Sequence, residues 1–212
     1  MTAILEDITI ESKDDDDLST VTLNENNLIY DQLKSELTLK EIEEKENLKK
    51  LPIIYFPDKQ LKSVAKVVKT FDEELISDIR NIFYSMRIND ASSVAAPQFG
   101  INKRILIINV TKPLILINPI LLTHSEETEI SNEGCLCFPD YFTTVKRYKE
   151  ITIAYQNEVG QKFSLKADNI LSLCIQHELS YLDGKTFIDH FSSIKKMFIG
   201  KKITKIIKNR KK

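Results

Sequence analysis

Residues 167–184 read ADNILSLCIQHELSYLDG, and the fold turns on what this run becomes. Asp168 is placed to cap a helix and Gly184 to end it. Between them, NILSLCIQHELSYL is apolar on nearly every face except at Gln176, His177, Glu178 and Ser180. A helix of that kind is central and buried. Its segment HELSY (177–181) falls one residue short of H-E-x-x-H, in which two imidazoles one turn apart grip a single metal. The second imidazole position is Tyr181.

Outward from that helix, the β-type runs are RILIINV (104–110), LILIN (114–118), ITIAYQ (151–156) and KFSLKA (162–167). Asn157 to Gly160 reads as the turn of a hairpin between the last two. PIIYFPD (52–58) predicts a short strand closed by a turn at Pro57-Asp58. DEELISDIRNIFYSMR (72–87) has apolar residues at 75, 79, 82, 83 and 86, a helix with Asp72 near its start. Strands that come first, with the buried helix late, predict an α+β fold rather than a doubly wound sheet.

The chain has 212 residues, room for one domain plus an appendage. Its net charge of −1 hides a strong asymmetry. Residues 1–50 carry 14 acidic and 6 basic side chains, whereas 191–212 carry 9 basic and no acidic ones. Residues 1–26, with their DDDD block, read as a disordered tail. Apolar residues at 29, 33, 37 and 42 then predict a charged helix to about Lys50. The division is an acidic extension over 1–50, a globular domain over 51–191 and a basic helix over 192–212. That last helix places Lys195, Lys196, Lys201, Lys202 and Lys205 among Ile194, Met197, Phe198, Ile203, Ile206 and Ile207. The acidic N-terminus is unlike a secretory or organellar leader, and no apolar run approaches a bilayer span. Three cysteines, an odd number, suit a reducing interior. A cytoplasmic monomer without a membrane partner is expected.

Two further stretches could carry chemistry. NEGCLCFPD (132–140) holds Cys135 at the end of a strand region, and a thiolate with an imidazole begins a Zn²⁺ or Fe²⁺ site. Cys137 and Cys174 read as small buried hydrophobes. In SSVAAPQFG (92–100), small residues allow a substrate backbone to come close, and the Gln98 amide can donate to a developing oxyanion.

Taken together, ASSVAAPQ (91–98), EGCLC (133–137) and HELSY (177–181) resemble the three motifs of the peptide deformylases, G-x-G-L-A-A-x-Q, E-G-C-L-S and H-E-x-D-H. The resemblance runs from about Ile53 to Phe191. It implies a fold of antiparallel strands around a central helix that carries the third motif. It further implies removal of the formyl group from formyl-methionyl nascent peptides by a divalent metal, Fe²⁺ or else Zn²⁺ or another ion. By position, the ligands are Cys135, His177 and Tyr181. Glu178 is the acid/base, and Gln98 with the Leu136 N–H steadies the oxyanion. Glu133 and Arg147 form a bracing ion pair. The five lysines named in the terminal helix are implied contacts to the ribosome. Four departures stand out: Ala91 and Ser93 replace both glycines of the first motif, Cys137 replaces a serine, and Tyr181 replaces the second histidine. Two readings remain, a weakly active metal-dependent deformylase or a non-catalytic protein of that fold that binds peptide N-termini or the ribosome.

Overall fold

The computed structural model describes residues 9–14, 17–22, 48–110 and 112–210. In chain order the strands and helices are β1 (Thr9–Asp14), β2 (Asp17–Thr22), α1 (Glu73–Ile88), β3 (Ser93–Ala95), β4 (Ile105–Asn109), β5 (Pro113–His124), β6 (Thr128–Cys135), β7 (Phe138–Tyr148), β8 (Glu150–Gln156), β9 (Lys162–Asp168), α2 (Asn169–Leu182) and α3 (Ser193–Arg210). Seven strands form one antiparallel sheet in the order β2-β1-β9-β8-β5-β4-β3, and β6 with β7 forms a separate two-stranded ribbon. The α+β expectation holds.

The run ILIIN of β4 is apolar at successive positions because both faces of the strand are covered. Ile105 and Ile107 pack with Leu75, Ile79, Ile82 and Met86 of α1. Leu106 and Ile108 pack with Ile175, Leu179 and Leu182 of α2. Side chains alternate between faces along a strand, so four consecutive apolar residues fit a strand buried between two helices. At the start of α1, Asp72 accepts a hydrogen bond from the Leu75 N–H at 3.1 Å.

α2 runs through the second core, and three contacts fix its position. Gln176 donates to the Tyr148 carbonyl at 2.8 Å and accepts from the Tyr148 N–H at 3.0 Å, which ties the helix to the end of β7. Ser172 also donates to that carbonyl, at 3.1 Å. Gly184 ends the helix at φ +67, with its N–H on the Tyr181 carbonyl at 3.1 Å. Asp168 stands at the cap position, but its side chain makes no capping hydrogen bond.

Two other expectations change, one ribbon is new, and one expected helix lies outside the described residues. PIIYFPD joins no ladder. It is an extended strap whose Ile54 N–H donates to the Gln98 carbonyl (2.8 Å) and whose Phe56 N–H donates to the Cys137 carbonyl (3.0 Å). Its neighbours are turns, so it finds one bond on each side rather than a strand partner. The β6–β7 ribbon escaped the sequence reading. Its exposed face mixes Ile130 and Phe142 with the polar Asn132, Thr144 and Lys146, and most of its other residues are half-exposed, so no buried apolar stripe marks it. Within the stretch read as a disordered tail, β1 and β2 pair with each other and β1 adds to the edge of β9. The β-branched residues Thr9, Ile10, Thr20, Val21 and Thr22 favour this pairing, and the DDDD block masked the signal. The helix expected from residue 28 lies outside the described residues except for Leu48–Lys50, which are not helical.

α3 is a helix as expected, yet its apolar residues divide. Ile199 and Ile203 are buried in the core and Gly200 sits against Phe56, whereas Ile194, Met197 and Phe198 face outward. No described helix is long and apolar enough to cross a membrane.

Gly184→Ala tests how the end of α2 is held. An added Cβ would meet the Lys62 carbonyl oxygen at 2.5 Å and carry a left-handed φ. The expected loss, read by urea unfolding, is about 2 kcal/mol or more.

Candidate active site

The three chemistry-bearing stretches meet at one cleft of about 580 Å³. Ser93 of β3, Cys135 and Leu136 at the β6–β7 turn, and Cys174, His177 and Glu178 of α2 all line it. Gln98 is delivered by the 3-10 turn Ala96–Phe99 after β3, and Tyr181 lies one helical turn beyond His177. Both are buried behind the cleft wall.

Cys135 Sγ is the meeting point. The Gln98 amide donates to it at 3.2 Å and the Tyr181 hydroxyl at 3.1 Å. The Cys137 thiol and the His177 ring are also hydrogen-bonded to it. Burial opposes charge on this sulfur. Even so, the bonds from Cys137, His177 and Tyr181, with the His177 charge, hold its pKa well below that of an ordinary thiol. Cys137 moves the opposite way, raised by burial and by its bond to Cys135. The Tyr181 phenol is likewise pushed up, by burial first and then by the neighbouring sulfur charges.

A charged chain backs this centre. Arg147 grips Glu133 with two bonds, from Nε at 2.7 Å and from the terminal nitrogen at 2.8 Å. Glu133 in turn accepts from His177 Nδ1 at 2.7 Å, which leaves Nε2 as the ring nitrogen facing Cys135. Burial alone would raise the Glu133 carboxyl, yet the hydrogen bonds from Arg147 and His177 draw it down to about 2. Burial would also lower His177, but Cys135 and Glu133 together raise it to about 10. Glu178 is almost fully buried, and burial, partly offset by the His177 charge, raises its carboxyl to about 7. Its Oε1 accepts from the Ser93 hydroxyl at 2.7 Å, while Oε2 is buried without a partner among the described residues.

The chemistry of these donors can be set against a divalent metal. Cys135 and His177 supply a thiolate and an imidazole whose outer nitrogen is already fixed by a carboxylate, a common second layer around a metal-bound histidine. Tyr181 offers oxygen, but its proton points at the sulfur and burial holds that proton firmly. The set fits a metal through Cys135 and His177, and through Tyr181 only once the phenol proton is expelled. No cluster of three His, Cys, Asp or Glu side chains with metal-binding geometry occurs among the described residues. His124 stacks on Tyr148 at a centroid distance of 3.7 Å and does not line the cleft.

Three features were missed by the sequence reading. The Ser93 hydroxyl reaches Glu178; at that position only its added Cβ had been weighed. Cys174, read as a small core residue, is half-buried and lines the cleft. At the rim, Arg210 from the end of α3 pairs with Asp140 at 2.9 Å, an ion pair across 70 residues of sequence that no local pattern announces. The outer wall also carries Phe142, whose ring lies so close to Gly134 that any Cβ there would strike it.

Against known proteins, the family described as Polypeptide deformylase matches residues 50–197. A peptide deformylase of Pseudoalteromonas translucida is 38% identical over 159 residues, covering 73% of this chain and 95% of the relative. One from Hamiltonella defensa is 42% identical over 162 residues, covering 74% and 94%. The crystal structure of a peptide deformylase from Legionella pneumophila superposes with a TM-score of 0.73 at 30% identity, covering 77% of this chain and 99% of that one.

Glu133→Gln tests the charged chain. Leaving Arg147 without its buried partner should cost about 3–5 kcal/mol near neutral pH. Because the folded-state pKa of Glu133 is depressed from 4.5 to about 2, its contribution is present above 4.5 and is lost as pH falls toward 2. Urea unfolding should show the gap between variant and native protein closing over that window.

Proposed function

Because the chain belongs to the polypeptide deformylase family, we propose that it hydrolyses the N-formyl group of formyl-methionyl nascent peptides, slowly, at a metal centre weakened by Tyr181. The observation that carries this reading is the convergence on Cys135 Sγ: one imidazole and one phenol reach the sulfur where the family's motif would supply two imidazoles. Cys135 and His177 would hold a divalent metal of the kind the family implies, Fe²⁺ or another divalent ion. Such an ion supplies Lewis-acid polarisation to the reaction.

This chain's own residues do the rest. Glu178 takes a proton from the attacking water and gives one to the departing amine, so that the amide C–N bond breaks and formate is released. Its carboxyl is suited to both transfers near neutral pH, with Oε1 anchored by Ser93 and Oε2 free to carry the proton. Gln98 is held at both ends of its amide, with Oε1 accepting from the Ala95 N–H at 2.9 Å and the nitrogen on Cys135. Its remaining amide hydrogen and the Leu136 N–H are the groups proposed to steady the oxyanion. Glu133 and Arg147 position His177. Leu136, Phe138, Phe142, Ile170 and Leu173 give the cleft apolar walls suited to a methionine side chain.

Metal content and turnover test this together. Full-length protein purified anaerobically should carry clearly less than one Fe or Zn per chain. Tyr181→His should tighten metal binding by about 100-fold or more and raise turnover of a formyl-methionyl peptide. Glu178→Ala should remove about 10²-fold or more of whatever turnover the native chain shows. Stoichiometric metal and full turnover in the native chain would overturn the weakened-centre reading. Tight binding of formyl peptide with no turnover in any of the three proteins would establish the non-catalytic reading instead.

A second part of the proposal concerns α3. Lys195, Lys201, Lys202 and Lys205 are exposed along the helix beside Ile194, Met197 and Phe198, while Lys196 is half-buried against Asp189 at 3.2 Å. We propose this face as the contact to ribosomal RNA, bound through phosphates and therefore weakened by salt. Removing the helix would strip Ile199 and Ile203 from the core, so the test uses charge reversal instead. Lys201→Glu with Lys205→Glu should abolish salt-sensitive co-sedimentation with ribosomes and leave the unfolding midpoint in place. Undiminished co-sedimentation would rule out this face.

A further inference from the structure

Cys135 and Cys137 are separated by one residue in the two-residue turn that joins β6 to β7, where Cys135 pairs across the ribbon with Phe138. Two residues so close along a turn fall within the Cα separation that a disulfide spans, roughly 4.4–6.8 Å. Both belong to the same packed cluster, and the Cys137 thiol interacts with Cys135 as a hydrogen-bond partner. Their exposures differ. Cys135 is half-buried and lines the cleft, within reach of a small solute, whereas Cys137 is completely buried. The third thiol, Cys174, lines the cleft from α2 and is not a hydrogen-bond partner of either of the other two sulfurs among the described residues. A serine at position 137, as in the motif E-G-C-L-S, leaves Cys135 without this partner.

We propose that Cys135 and Cys137 form a reversible oxidation site, in which a hydroperoxide converts the pair to an intrachain disulfide. The Cys135 sulfur attacks the terminal oxygen of the hydroperoxide. The O–O bond breaks, an alcohol (or water, from hydrogen peroxide) leaves, and Cys135 becomes a sulfenic acid. The Cys137 sulfur then attacks the Cys135 sulfur. An S–S bond forms, the S–O bond breaks, and the oxygen departs as water with the Cys137 proton. In sum, two thiols and one hydroperoxide give one disulfide, one alcohol and one water, with two electrons passing from the sulfurs to the peroxide. The bond withdraws Cys135 from any metal and shields it from irreversible oxidation to the sulfinic acid. A dithiol reverses it by exchange, readily for a bond closed over so short a loop.

The site is independent of whether the chain turns over formyl peptides, and its test reads thiols and masses instead of activity. Full-length protein, denatured after brief treatment with hydrogen peroxide, should fall from three titratable thiols to one and lose the mass of two hydrogens. Dithiothreitol should restore both. Peptide mapping should place the bridge between Cys135 and Cys137, and Cys174→Ser should still form it. Cys137→Ser, nearly the same size as the native residue, should form no bridge and should instead gain two or three oxygens on Cys135 that dithiothreitol does not remove. Direct accumulation of that over-oxidised Cys135 in the native chain would overturn the proposal. So would a bridge to Cys174 or between two chains.

Discussion

A partly buried sulfur on which four side chains converge dominates this structure. Burial alone would keep the Cys135 thiol neutral, because charge is costly away from water. Four donors reverse that balance, and they come from four places in the chain: Gln98 after β3, Cys137 in the ribbon turn, and His177 and Tyr181 on successive turns of α2. Each must be held still, since a donor that drifts leaves a charge unpaired. Much of the fold can be read as the means of holding them.

The strap over Ile53–Phe56 shows how this is done. It has no strand partner, yet its two N–H groups lock the carbonyls of Gln98 and Cys137, and so fix two of the four donors relative to each other. α2 is fixed separately, by Gln176 on the backbone of Tyr148 and by the tight stop at Gly184. Arg147, near the end of the same ribbon that carries Cys135, reaches back through Glu133 to His177. Ribbon and helix are therefore joined twice, once through backbone and once through charge.

Position 181 places a buried phenol beside the sulfur. In this arrangement protons bridge the centre: one lies between His177 and Cys135 and another between Tyr181 and Cys135. A cation would have to displace both, and the phenol proton is held the more firmly because the ring is wholly buried beside negative sulfur. The imidazole gives up its proton far more readily than a phenol does. That asymmetry is the physical content of the change from histidine to tyrosine.

Much of the fold was legible in the sequence. The all-round apolar run with an isolated His177–Glu178 pair required a central helix. RILIINV read as a strand, and the spacing of apolar residues from Leu75 to Met86 gave α1. The residue types of the site, thiol, imidazole, carboxyl and amide, were also legible, because each is conspicuous in an apolar or small-residue setting. The β6–β7 ribbon was not, since its exposed face mixes Ile130 and Phe142 with polar residues, and neither was the β1–β2 pairing, whose sequence carries a run of aspartates. Tertiary structure alone decided which atoms face one another: the Ser93 hydroxyl on Glu178, the Cys137 thiol on Cys135, the phenol of Tyr181 behind the sulfur and Arg210 at the rim. Periodicity reports which side of an element is buried, because burial averages over many neighbours. A hydrogen bond depends on a few tenths of an ångström between residues distant in sequence, and only the packed chain sets that distance.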